Sequence, residues 1–323
     1  MVEITHGGPE VLRIAEVAVP KPGFDDVLLN VSAAGVNRAD ILQRRGLYPP
    51  PTGASSILGL EVSGHITEVG ADVKDWKPGA AVCALLAGGG YAEYCVAPSG
   101  QCLAIPENIA VQDAAALPEA LFTVWANLFQ PSRLIPGETL LVHGGTSGVG
   151  SMAIQVARTF GARVVATAGN QRKCDFCLQL GCELALNYRE ENWVEGFRRW
   201  SGGRGIDVIL DMVGGDYFPK HLQLLAPQGR LIQIAYSGGR EVTADLSAIM
   251  QKRLIVTGST LRPRPIGEKA ALRDSIRDRV WPQISLGKIR PIVDRVFSLE
   301  HVADAHRRME SSEHIGKILL RLD

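Results

Sequence analysis

The sequence predicts an α/β protein in which a β-rich first part precedes a doubly wound parallel sheet. From about residue 139, short apolar strands alternate with helical segments of about 10 to 15 residues, which is the pattern of βαβ units. Up to about residue 118, glycine and proline punctuate short strands such as residues 27–31 and 80–84. The chain has 323 residues, more than one hydrophobic core usually organises, so we expect two domains.

The parallel sheet is predicted to contain six strands. These are residues 140–143, 163–168, 184–187, 207–210, 230–234 and 254–257. After them, the segment Arg-Pro-Arg-Pro at residues 262–265 interrupts the alternation. A helix over residues 268–286 is predicted next, followed by short strands over 295–298 and 317–322. We expect this tail to pack on the first domain.

Composition excludes several classes of function. Lys plus Arg and Asp plus Glu number 34 each, so no net positive field favours nucleic acid as the main partner. Residues 1–10 lack the basic-then-apolar order of a secretory signal, and no apolar run approaches the roughly 18 residues of a membrane span. We therefore expect a cytoplasmic protein without a membrane partner, whose 6 cysteines stay reduced.

A glycine-rich turn follows the first strand of the predicted sheet. Gly148, Val149, Gly150 and Ala153 fit the pattern G-x-G-x-x-A between a strand and an apolar helix. In that pattern the first glycine permits the turn, the second lets a pyrophosphate approach the helix N-terminus, and the third small residue allows close packing. A P-loop would need lysine before Ser151, and no G-x-S-x-G elbow is present, so ATP chemistry and a serine hydrolase are disfavoured. The sequence predicts a Rossmann-type dinucleotide site.

The end of the second predicted strand indicates the cofactor. NAD sites place an acidic residue there for the ribose 2′-hydroxyl, whereas residues 167–170 read Thr-Ala-Gly-Asn. Without that acid a 2′-phosphate is not repelled, and Arg172 and Lys173 follow close by. We therefore expect NADPH.

Three motifs in the first part resemble the quinone oxidoreductase branch of the medium-chain dehydrogenase/reductase superfamily. They are A-A-G-V-N-R-A-D at residues 33–40, R-G-L-Y-P at 45–49 and L-G-L-E-V-S-G at 58–64. The resemblance extends over essentially the whole chain, which is similar to the tumour-suppressor-inducible quinone oxidoreductase type. It implies a GroES-like catalytic domain over residues 1–121, completed by 263–323, and a Rossmann NADPH-binding domain over residues 122–262.

The resemblance also implies which residues catalyse the reaction. Asn37, Tyr48 and Thr123 match positions that line the nicotinamide and substrate site in this family. Asn37 and Thr123 are expected to hydrogen-bond the nicotinamide ribose or carboxamide, and Tyr48 to orient the acceptor or donate a proton to it. The alternative for Tyr48 is packing over the loop prolines at residues 49–51.

A second group of residues is expected to hold the cofactor. Gly169, Lys173 and Tyr188 match the 2′-phosphate pocket of the family, although Tyr188 is equally consistent with a core residue at a strand end. Val213, Ile234 and Tyr236 follow further strands, where such sheets bind ligands. The complete predicted cofactor site contains Asn37, Thr123, Gly148, Val149, Gly150, Gly169, Lys173, Tyr188, Val213, Ile234 and Tyr236.

No metal is expected in this site. Zinc-dependent relatives carry Cys where Asn37 stands and His where Leu60 stands, and Asn and Leu do not form a zinc site. Cys174 and Cys177 form a C-x-x-C pattern, but it falls within a predicted helix, so a packing role is favoured. The histidines show no metal-ligand spacing, and we expect most of them to be hydrogen-bonded or solvated.

The leading functional interpretation is hydride or electron transfer from NADPH to a small quinone. One alternative is NADPH-dependent reduction of an activated alkene such as an enoyl compound or an alkenal. An alternative of another class is a nucleotide-binding protein with little turnover. The family resemblance further implies a homodimer, formed by pairing of an edge strand near residues 254–259.

Overall fold

A computed structural model of the chain describes residues 1–3 and 6–322, apart from the side chain of Glu3. In chain order the strands are β1 (Val2–Glu3), β2 (Arg13–Ile14), β3 (Asp26–Val36), β4 (Glu61–Val69), β5 (Ala81–Leu85), β6 (Tyr94–Pro98), β7 (Cys102–Ala104), β8 (Thr139–His143), β9 (Arg163–Ala168), β10 (Leu184–Asn187), β11 (Ile206–Asp211), β12 (Leu225–Gln233), β13 (Ile255–Gly258), β14 (Val293–Ser298) and β15 (Lys317–Arg321). The α-helices are α1 (Arg38–Arg44), α2 (Val111–Ala114), α3 (Pro118–Leu128), α4 (Gly148–Thr159), α5 (Gln171–Gln179), α6 (Trp193–Trp200), α7 (Tyr217–Leu224), α8 (Ser247–Lys252), α9 (Ile266–Arg279), α10 (Trp281–Ser285) and α11 (Val302–Glu310).

The chain divides into two compact units. The first unit comprises residues 1–122 and 261–323, and the second comprises residues 123–260. These boundaries differ by one or two residues from the domain boundaries drawn from the sequence.

The first unit is built around a mixed, mainly antiparallel sheet. Its strand order is β14-β15-β3-β4-β5-β7, and β6 also pairs with β3. The C-terminal strand β15 runs antiparallel to β3, with Ile318 opposite Val36, so the tail packs on the first part of the chain as predicted. Val31, Val62 and Val82 belong to the buried apolar core of this unit, which places the hydrophobic face of each strand inward.

The second unit is the predicted parallel sheet. Its strand order is β10-β9-β8-β11-β12-β13, and every pair is parallel. The strand order reverses between β8 and β11, and doubly wound sheets bind dinucleotides at the carboxyl ends of the strands at this point. β9 and β10 have the predicted bounds, whereas β12 begins five residues earlier than the sequence indicated.

A single helix over residues 268–286 was predicted, and this prediction is wrong in one respect, because the structure has two helices there. α9 ends at Arg279 and α10 begins at Trp281. Pro282 stands in the first turn of α10, and its ring nitrogen cannot donate the hydrogen bond that a continuous helix requires there. Within the described residues, no helix combines the length and the apolar character needed to cross a lipid bilayer.

Candidate active site

The glycine-rich turn joins buried strand β8 to helix α4. Gly144 adopts a φ of 64°, in the left-handed region, so the turn depends on Gly144 rather than on Gly148, which already begins the helix. A Cβ on Gly150 would lie 2.3 Å from the carbonyl oxygen of Gly144. The Ser147 side chain accepts a hydrogen bond from the Gly150 N–H at 2.9 Å, which caps the helix. The remaining N–H groups of this first turn are suited to an anionic group such as a pyrophosphate.

The end of β9 brings Gly169 and Tyr188 together, and Lys173 follows in helix α5. A Cβ on Gly169 would lie 2.9 Å from the Tyr188 hydroxyl, so this glycine and tyrosine are neighbours. Asn170 caps α5 by accepting the Lys173 N–H at 2.9 Å, which fixes the start of the helix that carries Lys173. The Arg189 guanidinium lies 5.9 Å from the centre of the Tyr188 ring and adds a cation that we did not predict.

The ends of β11 and β12 form a second part of the same sheet edge. The Asp211 carboxylate accepts the Val213 N–H at 2.7 Å and the Gly214 N–H at 3.0 Å, which shapes the turn after β11. The Gly238 N–H donates to the Val213 carbonyl at 2.7 Å, which ties the two turns together. Tyr236 is exposed. Because these strands are parallel, their turns lie at the same edge as the glycine turn after β8.

A buried histidine pair lies just behind the glycine turn. His143, the last residue of β8, is 2.8 Å from the Thr167 hydroxyl through Nδ1 and 2.8 Å from His221 through Nε2. Burial lowers the pKa of His143 and lowers that of His221 to about 3. Both rings are therefore neutral near pH 7 and share one N–H, which agrees with the expectation of hydrogen-bonded histidines. We did not predict His221 as the partner.

Asn37 lies in a buried cluster of charged and polar groups in the first unit. Its amide nitrogen donates to the Glu61 carboxylate at 3.0 Å and to the Gly35 carbonyl at 3.3 Å. Its amide oxygen accepts from the Lys317 ammonium at 2.6 Å, and the same ammonium pairs with Glu61. Because both amide hydrogens are already donated within the protein, Asn37 can offer a ligand only its oxygen.

Glu119 lies at the edge of this cluster, in the first turn of α3. Its backbone N–H donates to the second carboxylate oxygen of Glu61 at 2.9 Å. Burial raises the pKa of the Glu119 side chain to about 8, and the nearby negative charge of Glu61 adds to this shift. Glu119 is therefore mostly protonated at neutral pH.

Tyr48 lies in the loop after α1, half-buried beside a cation. The Arg262 guanidinium is 5.5 Å from the centre of the Tyr48 ring. Two hydrogen bonds fix that guanidinium, from Nε to the Ala87 carbonyl and from Nη2 to the Gln43 side chain, each 2.8 Å long. The sequence indicated Arg262 only as part of an interrupting segment, and the structure places it beside Tyr48.

Thr123 is the first residue of the second unit and lies within α3. Its carbonyl accepts a hydrogen bond from the Asn127 side chain at 2.8 Å. The role of its hydroxyl toward a nicotinamide stays a prediction.

The cysteine pattern lies inside a helix, as predicted. Cys174 and Cys177 are buried residues of α5 and are not joined in a disulfide. A Cβ on Gly145 would lie 2.7 Å from the Cys177 sulfur, so this thiol packs directly under the glycine turn. Among residues 1–3 and 6–322, no group of three or more His, Cys, Asp or Glu side chains is arranged to hold a metal ion.

Comparison with known proteins decides the family. Residues 23–107 match the alcohol dehydrogenase GroES-like domain, and residues 148–274 match the zinc-binding dehydrogenase family model. The chain is 32% identical to human quinone oxidoreductase over 319 residues, which is 98% of this chain and 95% of that protein. The chain belongs to the quinone oxidoreductase branch of the medium-chain dehydrogenase/reductase superfamily. It is therefore an oxidoreductase, and the GroES-like and Rossmann architecture expected from the sequence is confirmed.

Solved structures similar to this chain include a quinone oxidoreductase and an enoyl reductase. The structure of Escherichia coli quinone oxidoreductase complexed with NADPH aligns with a TM-score of 0.88 at 29% identity, covering 99% of each chain. The structure of CurK enoyl reductase aligns with a TM-score of 0.86 at 26% identity, covering 100% of this chain and 98% of that one. The chain is also 31% identical to a region of a phenolphthiocerol/phthiocerol polyketide synthase of Mycobacterium tuberculosis. That match spans 98% of this chain but only 14% of the length of the synthase polypeptide.

Proposed function

We propose that this protein is an NADPH-dependent reductase of small quinones. The observation that supports the proposal most is the proximity of Gly169 and Tyr188 at the end of β9, with Lys173 in the first turn of the following helix α5, in a chain of the quinone oxidoreductase branch. The strand ends without a carboxylate, and the cations Lys173 and Arg189 favour a 2′-phosphate over a free hydroxyl.

Bound NADPH supplies a hydride to the acceptor. The residues of this chain hold the cofactor at two places. The N-terminal turn of α4 would hold the pyrophosphate, and Lys173 and Tyr188 at the end of β9 would hold the 2′-phosphate. The turn formed by Val213 and the segment from Ile234 to Tyr236 are proposed to line the same edge.

The acceptor is proposed to meet Tyr48 and Arg262. A quinone that receives a hydride develops negative charge on oxygen, and the fixed Arg262 cation beside Tyr48 is suited to stabilise that charge. Tyr48 is proposed to position the acceptor through its hydroxyl.

A catalytic zinc ion does not fit the residues of this site. Asn37 presents its oxygen to the ammonium of Lys317, which would repel a second cation at that position. Leu60, the neighbour of Glu61, has no metal-binding group. We therefore propose that hydride transfer here proceeds without a metal.

Reduction of an activated alkene is the second candidate, favoured by the similarity to CurK enoyl reductase. In that reaction a carbon atom must receive a proton, whereas a reduced quinone is protonated on oxygen. The two reactions therefore yield different products.

An acceptor panel tests the proposal. Purified protein is supplied with NADPH and, in turn, with benzoquinones, naphthoquinones, enoyl thioesters and alkenals, and the products are identified by mass spectrometry. We expect the quinones to be the acceptors with the highest kcat/KM and to be converted to hydroquinones. Preferential formation of saturated carbonyl compounds would favour the alkene reductase, and binding of NADPH without turnover of any acceptor would favour a nucleotide-binding protein.

A further inference from the structure

A buried ion pair lies where three strands of the first unit end together. β15 begins at Lys317 and pairs with β3 so that Ile318 faces Val36, which places Lys317 beside Asn37. β4 begins at Glu61 and pairs with the same strand. Lys317 is 4% exposed and Glu61 is 0% exposed, so both charges are removed from water. Such a pair is costly to bury, and its replacement by apolar residues is often neutral or stabilising, so stability alone does not account for it.

The pair fixes the orientation of the Asn37 amide. The ammonium of Lys317 donates to Oδ1 at 2.6 Å, while Nδ2 donates to Glu61 at 3.0 Å. A rotated amide would turn its NH₂ group toward the ammonium and its oxygen toward the carboxylate, so both contacts would become repulsive. Gly35 allows this arrangement, because a Cβ there would lie 2.2 Å from a carboxylate oxygen of Glu61.

We propose that Lys317 is a positioning residue that acts through Asn37. With Glu61 as its counter-ion, Lys317 holds the amide so that Oδ1, rather than Nδ2, is the atom presented to an N–H or O–H group of the bound cofactor or acceptor. This inference rests on the proposed function only in taking Asn37 to contact one of those ligands. Lys317 is buried and its ammonium contacts Asn37 and Glu61, so we assign its effect to the orientation of Asn37 rather than to a contact with the ligand.

A mutant cycle tests the proposal. Lys317→Met alone would leave Glu61 as an unpaired buried charge and endanger folding, so the pair is replaced together as Glu61→Gln with Lys317→Met. The four proteins are the wild type, Asn37→Ala, the Glu61→Gln/Lys317→Met variant and the triple variant. Thermal unfolding verifies that each is folded. An exposed pair of substitutions, Glu268→Gln with Lys288→Met, is the matched control.

We expect Asn37→Ala and the charge-pair variant each to lower kcat/KM about 10- to 100-fold, the loss of one charge-assisted contact. The triple variant should show little further loss, because the pair acts through Asn37. The control should retain wild-type activity. The proposal would be overturned if the fold losses in kcat/KM of the two parent variants multiply in the triple variant. It would also be overturned if the charge-pair variant or the Asn37→Ala variant has wild-type kcat/KM.

The NADPH affinity of the same four proteins is measured by fluorescence titration. If the wild type reduces no quinone but Asn37 and the charge pair are coupled in NADPH affinity, the positioning role stands and the proposed acceptor is wrong. If quinones are reduced and neither measurement shows coupling, the role of Lys317 is wrong and the proposed function is unaffected.

Discussion

Glu119→Gln should stabilise the folded protein, and the gain should depend on pH. The pKa of Glu119 is raised from an ordinary value of 4.5 to about 8, first by burial and then by the charge of Glu61. Between these values the carboxyl is protonated in the folded chain and ionised in the unfolded chain. The unfolded state therefore binds fewer protons, and stability falls as pH rises through this window.

The magnitude follows from the same two values. At pH 7 the carboxyl stays protonated in the folded chain although the pH is two and a half units above its pKa in the unfolded chain, which costs at most about 3.4 kcal/mol. Glu119 is only half-buried, so we expect roughly 1 to 3 kcal/mol after allowing for solvent screening. Glutamine has nearly the same shape and does not ionise, so it avoids this cost.

Urea unfolding of the wild type and the variant at pH 4.5, 6, 7 and 8 measures the effect. The difference in free energy of unfolding should be smallest at pH 4.5 and should increase toward pH 8. Glu268→Gln is the matched control, because Glu268 is an exposed acid in the first turn of α9 and its difference should not follow this trend. A stability difference for Glu119→Gln that is the same at every pH would refute the assignment of a protonated Glu119.

Lys173→Ala should weaken NADPH binding by roughly 1.5 to 3 kcal/mol and NADH binding little, because one charge-assisted contact to the 2′-phosphate is lost; equal losses in calorimetric titrations would count against the pocket. Activity should survive treatment with a strong chelator, and stoichiometric zinc whose removal abolishes turnover would contradict the metal-free proposal. Tyr48→Phe should keep most quinone reductase activity and raise KM, since water can protonate a phenolate-like oxygen; a collapse of kcat with unchanged NADPH affinity would make Tyr48 a required proton donor. Val256→Pro on the edge strand β13 should lower the molecular mass in light scattering from dimer to monomer, because Ile255 and Val256 are exposed there; an unchanged mass would exclude edge pairing through this strand.

The parallel sheet was predictable because its signals are local. Runs of apolar residues give β9 and β10 their predicted bounds, and the glycine turn after β8 lies where the motif places it. The missing acid after β9 is likewise visible in four consecutive residues. The break between α9 and α10 also had a local signal, because Pro282 cannot continue a helix, and that signal was overlooked.

The polar cluster in the first unit could not be predicted in the same way. Lys317 is 280 residues from Asn37, and Glu61 is 24 residues from it, so their contacts depend on the pairing of β15 and β4 with β3. The register of that pairing is set by the tertiary core, which no short motif encodes. Arg262 and Tyr48 are likewise far apart in the sequence, so their contact could not be predicted from a local motif. Arg189 directly follows Tyr188, so its place beside the Tyr188 ring could have been proposed from the sequence.

The central claim is that NADPH reduces a quinone on this protein, and a single-turnover experiment with deuterium at the transferring C4 position of NADPH tests it most directly. Enzyme loaded with the labelled cofactor is mixed with one quinone, and oxidation of the cofactor and formation of the hydroquinone are followed together. We predict equal amounts of oxidised cofactor and hydroquinone, formed at one rate that the label slows. Oxidised cofactor without hydroquinone, or no oxidation over many minutes, would contradict the account.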